Sequence, residues 1–115
     1  MNRTITRDAL YAKIQRGDRF FLFEVLAPMY WRKHHLPGAL NMPPDKVRET
    51  IEATVPDLDA EIVLYCWDDD CPTSPWAKGV LEAAGYSNVI EYPGGKKEWQ
   101  ESGLPMEKPP RRVVG

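Results

Sequence analysis

Only two cysteines, Cys66 and Cys71, occur in the 115 residues, and that scarcity excludes a disulfide-scaffolded fold. They are also too few for a four-ligand zinc site unless His34, His35 or nearby aspartates join them, and no zinc-type spacing is present. No metal or cofactor is expected. No apolar run approaches the roughly 20 residues a membrane-spanning helix needs. The start, Met1 to Asp8, lacks the apolar stretch of a secretory signal. A basic excess is missing too: 15 Lys and Arg against 17 Asp and Glu give a net charge of -2, which argues against a nucleic-acid partner. No internal repeat and no low-complexity segment is found. What remains is one soluble domain with one core. The expected setting is a reducing cytoplasm, where both cysteines rest as thiols.

Proline, by contrast, is abundant. Eleven residues punctuate the chain into short elements. Thr6 is a cap for a helix over Arg7 to Arg16, with Gly17 as its C-cap. Phe20 to Val25 is a continuous apolar run of strand length, which predicts a strand buried on both faces. Pro28 to Lys33 reads as a short helix, His34 to Gly38 as a turn and Ala39 to Met42 as a short strand. After Pro43 and Pro44, Val47, Ile51 and Val55 mark the core face of another helix. Glu61 to Tyr65 is the central strand. Ser74 reads as the N-cap of a helix with Pro75 at its first position. Ala77, Val80, Leu81 and Ala84 form its buried stripe, and Gly85 ends it. Asn88 to Tyr92 is the last strand. A turn at Pro93 to Gly95 leads into a helical piece over Lys96 to Glu101 that carries Trp99. Alternating strands and helices predict an α/β fold with a small, mostly parallel sheet covered by helices on both faces. Residues 1–106 form the expected domain and 107–115 a tail without core residues.

The chemistry concentrates where the central strand ends. Cys66 stands at its carboxyl end and faces the amino end of a helix, which is where open α/β sheets place reactive groups. Between them lies the loop Trp67, Asp68, Asp69, Asp70, Cys71, Pro72, Thr73 and Ser74.

The order of motifs resembles the rhodanese family of single-domain sulfurtransferases. His35-Leu36-Pro37-Gly38-Ala39-Leu40-Asn41-Met42-Pro43 is similar to the family's His-Ile-Pro-Gly-Ala-Ile-Asn-Ile-Pro signature. Ile62 to Cys66 resembles the strand that delivers its catalytic cysteine. Ser74-x-x-Ala77 and Leu81-x-x-x-Gly85-Tyr86-x-Asn88-Val89 resemble the helix and strand that come next in the family. Pro93-Gly94-Gly95, Trp99 and Gly103-Leu104-Pro105 resemble the closing pattern. The resemblance runs from about Thr4 to Leu104 and implies a three-layer rhodanese-like fold. It also implies a persulfide carried on Cys66 in a cradle of backbone N–H groups.

Two departures bear on function. The family's usual Asp-Val-Arg is here Glu24-Val25-Leu26. Its active loop runs cysteine, four residues, arginine; here Cys71 stands five residues after Cys66, and the loop is two residues longer. The related dual-specificity phosphatases also need an arginine at the loop's end, so a phosphatase is not expected.

Carboxylates at ~8 Å each oppose a thiolate by about 0.5 kcal/mol in water, so Asp68, Asp69 and Asp70 together oppose it by roughly 1.5 kcal/mol. A helix terminus returns about 0.3–1 kcal/mol. For a dianionic donor such as thiosulfate the opposition doubles to roughly 3 kcal/mol, about a hundredfold in affinity. Thiosulfate is thus expected to be a poor donor. A neutral or cationic small donor, or a protein persulfide, is expected to be better.

Cys71 has three readings: a resolving thiol that pairs with Cys66, a second sulfur carrier, or a passive loop residue. Trp67 is a candidate pocket wall or docking face, and Trp76 reads as packing. His35 belongs to a structural turn and Trp99 to the core. Gly94 and Gly95 serve backbone conformation beside the pocket, while Lys96 and Lys97 read as a solvated face. The leading expectation is a sulfurtransferase or sulfur carrier using Cys66. The rivals are a redox dithiol using Cys66 and Cys71, and a non-catalytic module that binds a partner through the same loop.

Overall fold

A computed structural model of the chain describes residues 3–109. Helix α1 (Arg7–Arg16) is followed by β1 (Phe21–Glu24), α2 (Pro28–Lys33) and β2 (Leu40–Asn41). A short 3-10 turn over Pro44–Lys46 leads into α3 (Val47–Thr54). Then come β3 (Ile62–Tyr65), α4 (Thr73–Ala83), β4 (Val89–Glu91) and α5 (Gly95–Glu101). Local signals set several bounds. Thr6 accepts a hydrogen bond from the Ala9 N–H at the start of α1, and Gly17 closes it in the left-handed conformation.

The four strands run parallel in the order β2-β1-β3-β4. Strand alternation sends Leu22, Val63, Tyr65 and Ile90 to one face, packed with Leu10 and Trp99 from α1 and α5. Phe23, Ile62, Leu64 and Val89 go to the other face, against Ile51, Ala77 and Leu81 from α3 and α4. The predicted three layers follow from this split, because a parallel sheet must be covered on both faces. The carboxyl ends of β1 and β3 lie side by side, with Glu24 in register with Tyr65. Strand order reverses there, and that opens the crevice in which α/β sheets bind ligands.

One predicted element starts elsewhere. Helix α4 begins at Thr73, with Pro72 in the cap position and no side-chain cap. Ser74 is therefore inside the helix rather than capping it. The Thr73 hydroxyl donates instead to the Val25 carbonyl at 3.1 Å, a tertiary bond that fixes the helix start two residues early.

At the other end, Glu107 and His35 exchange two backbone hydrogen bonds of 2.8 Å, and the Glu107 carboxylate accepts from the Gly38 N–H at 2.7 Å. The packed chain thus continues into the first residue of the expected tail. Residues 110–115 of that tail lie outside the described residues. Among the described residues, no helix is long and apolar enough to cross a membrane.

Candidate functional site

Cys66 follows directly on β3 and is only 2% exposed. Two backbone bonds pin the start of its loop to α5: the Lys96 N–H donates to the Cys66 carbonyl at 3.0 Å, and the Lys97 N–H to the Trp67 carbonyl at 2.8 Å. This approach requires Gly95. Its φ is +69°, and a Cβ there would stand 2.7 Å from the Trp67 carbonyl oxygen and 2.8 Å from that of Cys66. The predicted role of Gly95 in backbone conformation near the pocket is thereby given its physical reason.

The loop then folds back on itself. The Asp70 N–H donates to the Asp68 carboxylate at 3.1 Å and the Cys71 N–H to the Asp68 carbonyl at 3.2 Å. These two amides are used inside the loop and do not cradle a sulfur. The turn brings Cys71 onto Cys66, and the two form a disulfide with a Cα–Cα distance of 6.3 Å, within the span such bridges adopt. The expectation that both rest as thiols is corrected here: five residues of sequence separation and one tight turn suffice to join the sulfurs. The Thr73 Oγ1 touches both, at 2.8 Å from the Cys66 Sγ and 3.2 Å from the Cys71 Sγ.

Beside the disulfide is a small cleft of about 210 Å³, lined by Cys66, Cys71, Asp68, Asp69, Ser74 and Glu91. Its polar walls are largely acidic. Burial raises the Glu91 carboxyl above its ordinary value, with Lys78 opposing that shift and Glu82 adding to it. The Ser74 Oγ is buried and makes no hydrogen bond. A larger cleft of about 530 Å³ lies beside Trp67, lined by Leu26, Tyr30, Lys33, His34, Trp67 and Lys96. It reaches neither sulfur. Trp67 thus walls a basic and apolar cleft next to the acidic cysteine site rather than the cysteine cleft itself. Burial, and then the Lys96 charge, lowers the His34 imidazole below its ordinary value.

Two aromatic and basic residues differ from expectation. Trp76 is 55% exposed and does not pack into the core, because its position on α4 falls outside the stripe formed by Ala77 and Leu81. Lys96 is 2% exposed and does not belong to a solvated face. Its Nζ donates to the Glu24 carboxylate at 3.2 Å and to the Tyr30 carbonyl at 2.7 Å. Glu24 also accepts from the Tyr65 hydroxyl at 2.8 Å, and that hydroxyl accepts from the Leu36 N–H at 3.1 Å. Burial lowers the Lys96 ammonium while Glu24 opposes the shift. The Tyr65 hydroxyl is raised well above its ordinary value by burial and by Glu24. Lys97 is exposed, as predicted. His35 is buried, stacked on Trp31 at 4.3 Å and bonded through its Nδ1 to the Trp31 carbonyl at 2.9 Å, a structural residue as read.

Sequence reasoning missed the buried ion pair that braces this site. The signal available was Glu24 itself: one carboxylate inside an apolar strand demands a partner. The partner's identity was not legible, since Lys96 is 72 positions away. Among the described residues, no group of three or more His, Cys, Asp or Glu side chains is placed to hold a metal ion. Chemically, the site holds a reducible pair of sulfurs under one shared hydroxyl, with an acidic approach on one side and a cationic cleft on the other.

Comparison with known proteins agrees with the fold. The rhodanese-like domain family matches residues 6–102. Thiosulfate sulfurtransferase PspE of Escherichia coli (strain K12) is 35% identical over 75 residues, which are 65% of this chain and 69% of that protein. An HTH-type transcriptional regulator of Mycobacterium tuberculosis is 30% identical over 104 residues, 90% of this chain. The chain spans only 44% of that regulator's length. The solution structure of a rhodanese-like domain from an Anabaena sp. protein superposes with a TM-score of 0.82. It covers 100% of this chain and 93% of its own at 22% identity, a likeness of fold.

Proposed function

Because the chain belongs to the rhodanese-like domain family, we propose that it is a sulfur carrier or sulfurtransferase whose reduced Cys66 takes up sulfane sulfur as a persulfide. The observation that carries this reading is the position of Cys66 at the carboxyl end of β3, where strand order reverses, with the Thr73 hydroxyl 2.8 Å from its Sγ. A persulfide anion needs hydrogen-bond donors, and the Thr73 hydroxyl beside the sulfur becomes one when it turns its single proton away from the Val25 carbonyl. The acidic loop makes thiosulfate a poor donor and favours an organic or protein-borne persulfide. A sulfur-donating or sulfur-accepting partner, small or proteinaceous, belongs to this reading, and the cytoplasm is the compartment proposed for it.

The disulfide must open first, since a disulfide sulfur is not a nucleophile. The test is intact-mass analysis of the reduced protein after exposure to several sulfane donors, beside a Cys66→Ser variant. One added sulfur on the wild-type chain or on a Cys71→Ser variant, absent from Cys66→Ser, supports the proposal. No added sulfur on Cys71→Ser with any donor refutes it. A second reading, a redox dithiol that never carries sulfur, is favoured by the Cys66–Cys71 bond. It predicts disulfide formation with peroxide and no sulfur uptake by either variant.

A further inference from the structure

The geometry points to an activity beyond carriage: Cys71 reduces the Cys66 persulfide within the same chain and expels its outer sulfur as sulfide. This rests on the reading of Cys66 as a sulfur carrier. Its specific ground is which sulfur Cys71 reaches. The Cys71 Sγ is bonded to the Sγ of Cys66, which becomes the inner sulfur of any persulfide formed there. Attack on the outer sulfur would relay it to Cys71; attack on the inner sulfur displaces it.

The step balances without an external oxidant. A Cys66–S–SH group and a Cys71 thiol give the Cys66–Cys71 disulfide and one hydrogen sulfide. The Cys71 thiol loses its proton and attacks the Cys66 Sγ. The sulfur–sulfur bond of the persulfide breaks, and its electron pair leaves on hydrosulfide, which takes up a proton. Hydrosulfide is the conjugate base of a stronger acid than an ordinary cysteine thiol, so it leaves readily. The sulfane sulfur is reduced and the two cysteine sulfurs are oxidised.

Three features of the loop suit this step. The Asp68 turn, closed by the Asp70 and Cys71 N–H bonds, carries Cys71 back onto Cys66. The Thr73 Oγ1 lies within 3.2 Å of both sulfurs and is anchored to the Val25 carbonyl. It serves as a positioning residue that keeps the pair in register. Asp68 and Asp69 line the cleft beside the sulfurs, and their charge disfavours return of the departing anion. The Cys66–Cys71 disulfide of the structure is the same species this step leaves behind. Another turnover requires a reaction of one class, reduction of this disulfide by a dithiol.

A thiol-free single turnover tests the inference. Fully reduced protein, desalted without oxygen, is mixed with an aromatic thiosulfonate, whose only by-product is a sulfinate. Sulfinate, sulfide and intact mass are then followed together. The wild-type chain should yield about one sulfide per sulfinate and end as the disulfide, two hydrogens lighter than the dithiol. Cys71→Ser and Cys71→Ala should still form sulfinate, retain one sulfur on Cys66 and release at least roughly tenfold less sulfide per sulfinate. Wild-type protein that keeps the sulfur on Cys66 as the variants do, or carries it on Cys71, overturns the inference and leaves the carrier reading intact. Absence of sulfinate from both Cys71 variants removes the carrier reading and the inference together.

Discussion

The Lys96 Nζ stands 3.1 Å from the Glu24 Oε1, and both side chains are closed to solvent. Glu24 ends β1, and Lys96 is the residue whose backbone N–H holds the Cys66 carbonyl. One buried ion pair thus ties the strand beside the site to the helix that pins the cysteine loop. Removing one partner strands the other charge. Glu24→Gln or Lys96→Met should each cost about 3–5 kcal/mol. A double variant should cost less than the sum, because neither charge is then left alone. Denaturant unfolding of the three proteins measures this, and strict additivity would mean that the pair is not coupled.

Gly95→Ala should destabilise the domain by about 2–4 kcal/mol, from the left-handed backbone and from the contact with the Trp67 and Cys66 carbonyls. Gly17→Ala, also at positive φ but with nothing within 4 Å of its added Cβ, should cost only the backbone share, about 1–2 kcal/mol. Equal midpoints for the two variants in thermal unfolding would show that the close approach at Gly95 does not matter.

Thr73→Val keeps the shape of the side chain and removes the hydroxyl shared by the two sulfurs and the Val25 carbonyl. Alkylation of reduced Cys66 at neutral pH should slow by roughly tenfold, the loss of one hydrogen bond to a charged sulfur. Thr73→Ser should retain the wild-type rate. Measurement in a Cys71→Ser background isolates the single thiol.

Replacement of Asp68, Asp69 and Asp70 by Asn should raise the use of thiosulfate. The unscreened gain is about a hundredfold and falls to about fivefold at physiological salt, because the carboxylates act over nearly a Debye length. The wild-type rate should also rise with ionic strength while that of the triple variant stays flat. A flat wild-type profile would show that the loop charge does not select the donor.

Acidification gives a further expectation. The His34 imidazole is lowered from 6.5 in the folded chain by burial and the Lys96 charge. The unfolded chain therefore takes up a proton first as pH falls. Stability is fully present above about pH 6.5 and declines below it until the folded imidazole also protonates. His34→Gln should flatten the fall of the unfolding free energy that sets in below about pH 6.5. An unchanged slope would place the acid sensitivity elsewhere.

The sequence alone determined the order of elements, because periodicity and caps are local. Thr6 and Gly17 bound α1, Pro28 opens α2, and the unbroken Ile62 to Tyr65 run marks a strand covered on both faces. It also located Cys66, since a strand end and a helix start define that position without any long-range contact. Tertiary structure decided everything that depends on which distant groups meet. Thr73 abandons the predicted cap pattern because the Val25 carbonyl waits 48 residues away. Lys96 leaves solvent because Glu24 is buried opposite it. Cys71 became a partner rather than a passive loop residue because the Asp68 turn folds it onto Cys66. Composition records that these groups exist, while only the folded chain sets their separations, and hydrogen bonds, ion pairs and sulfur bonds depend on separation.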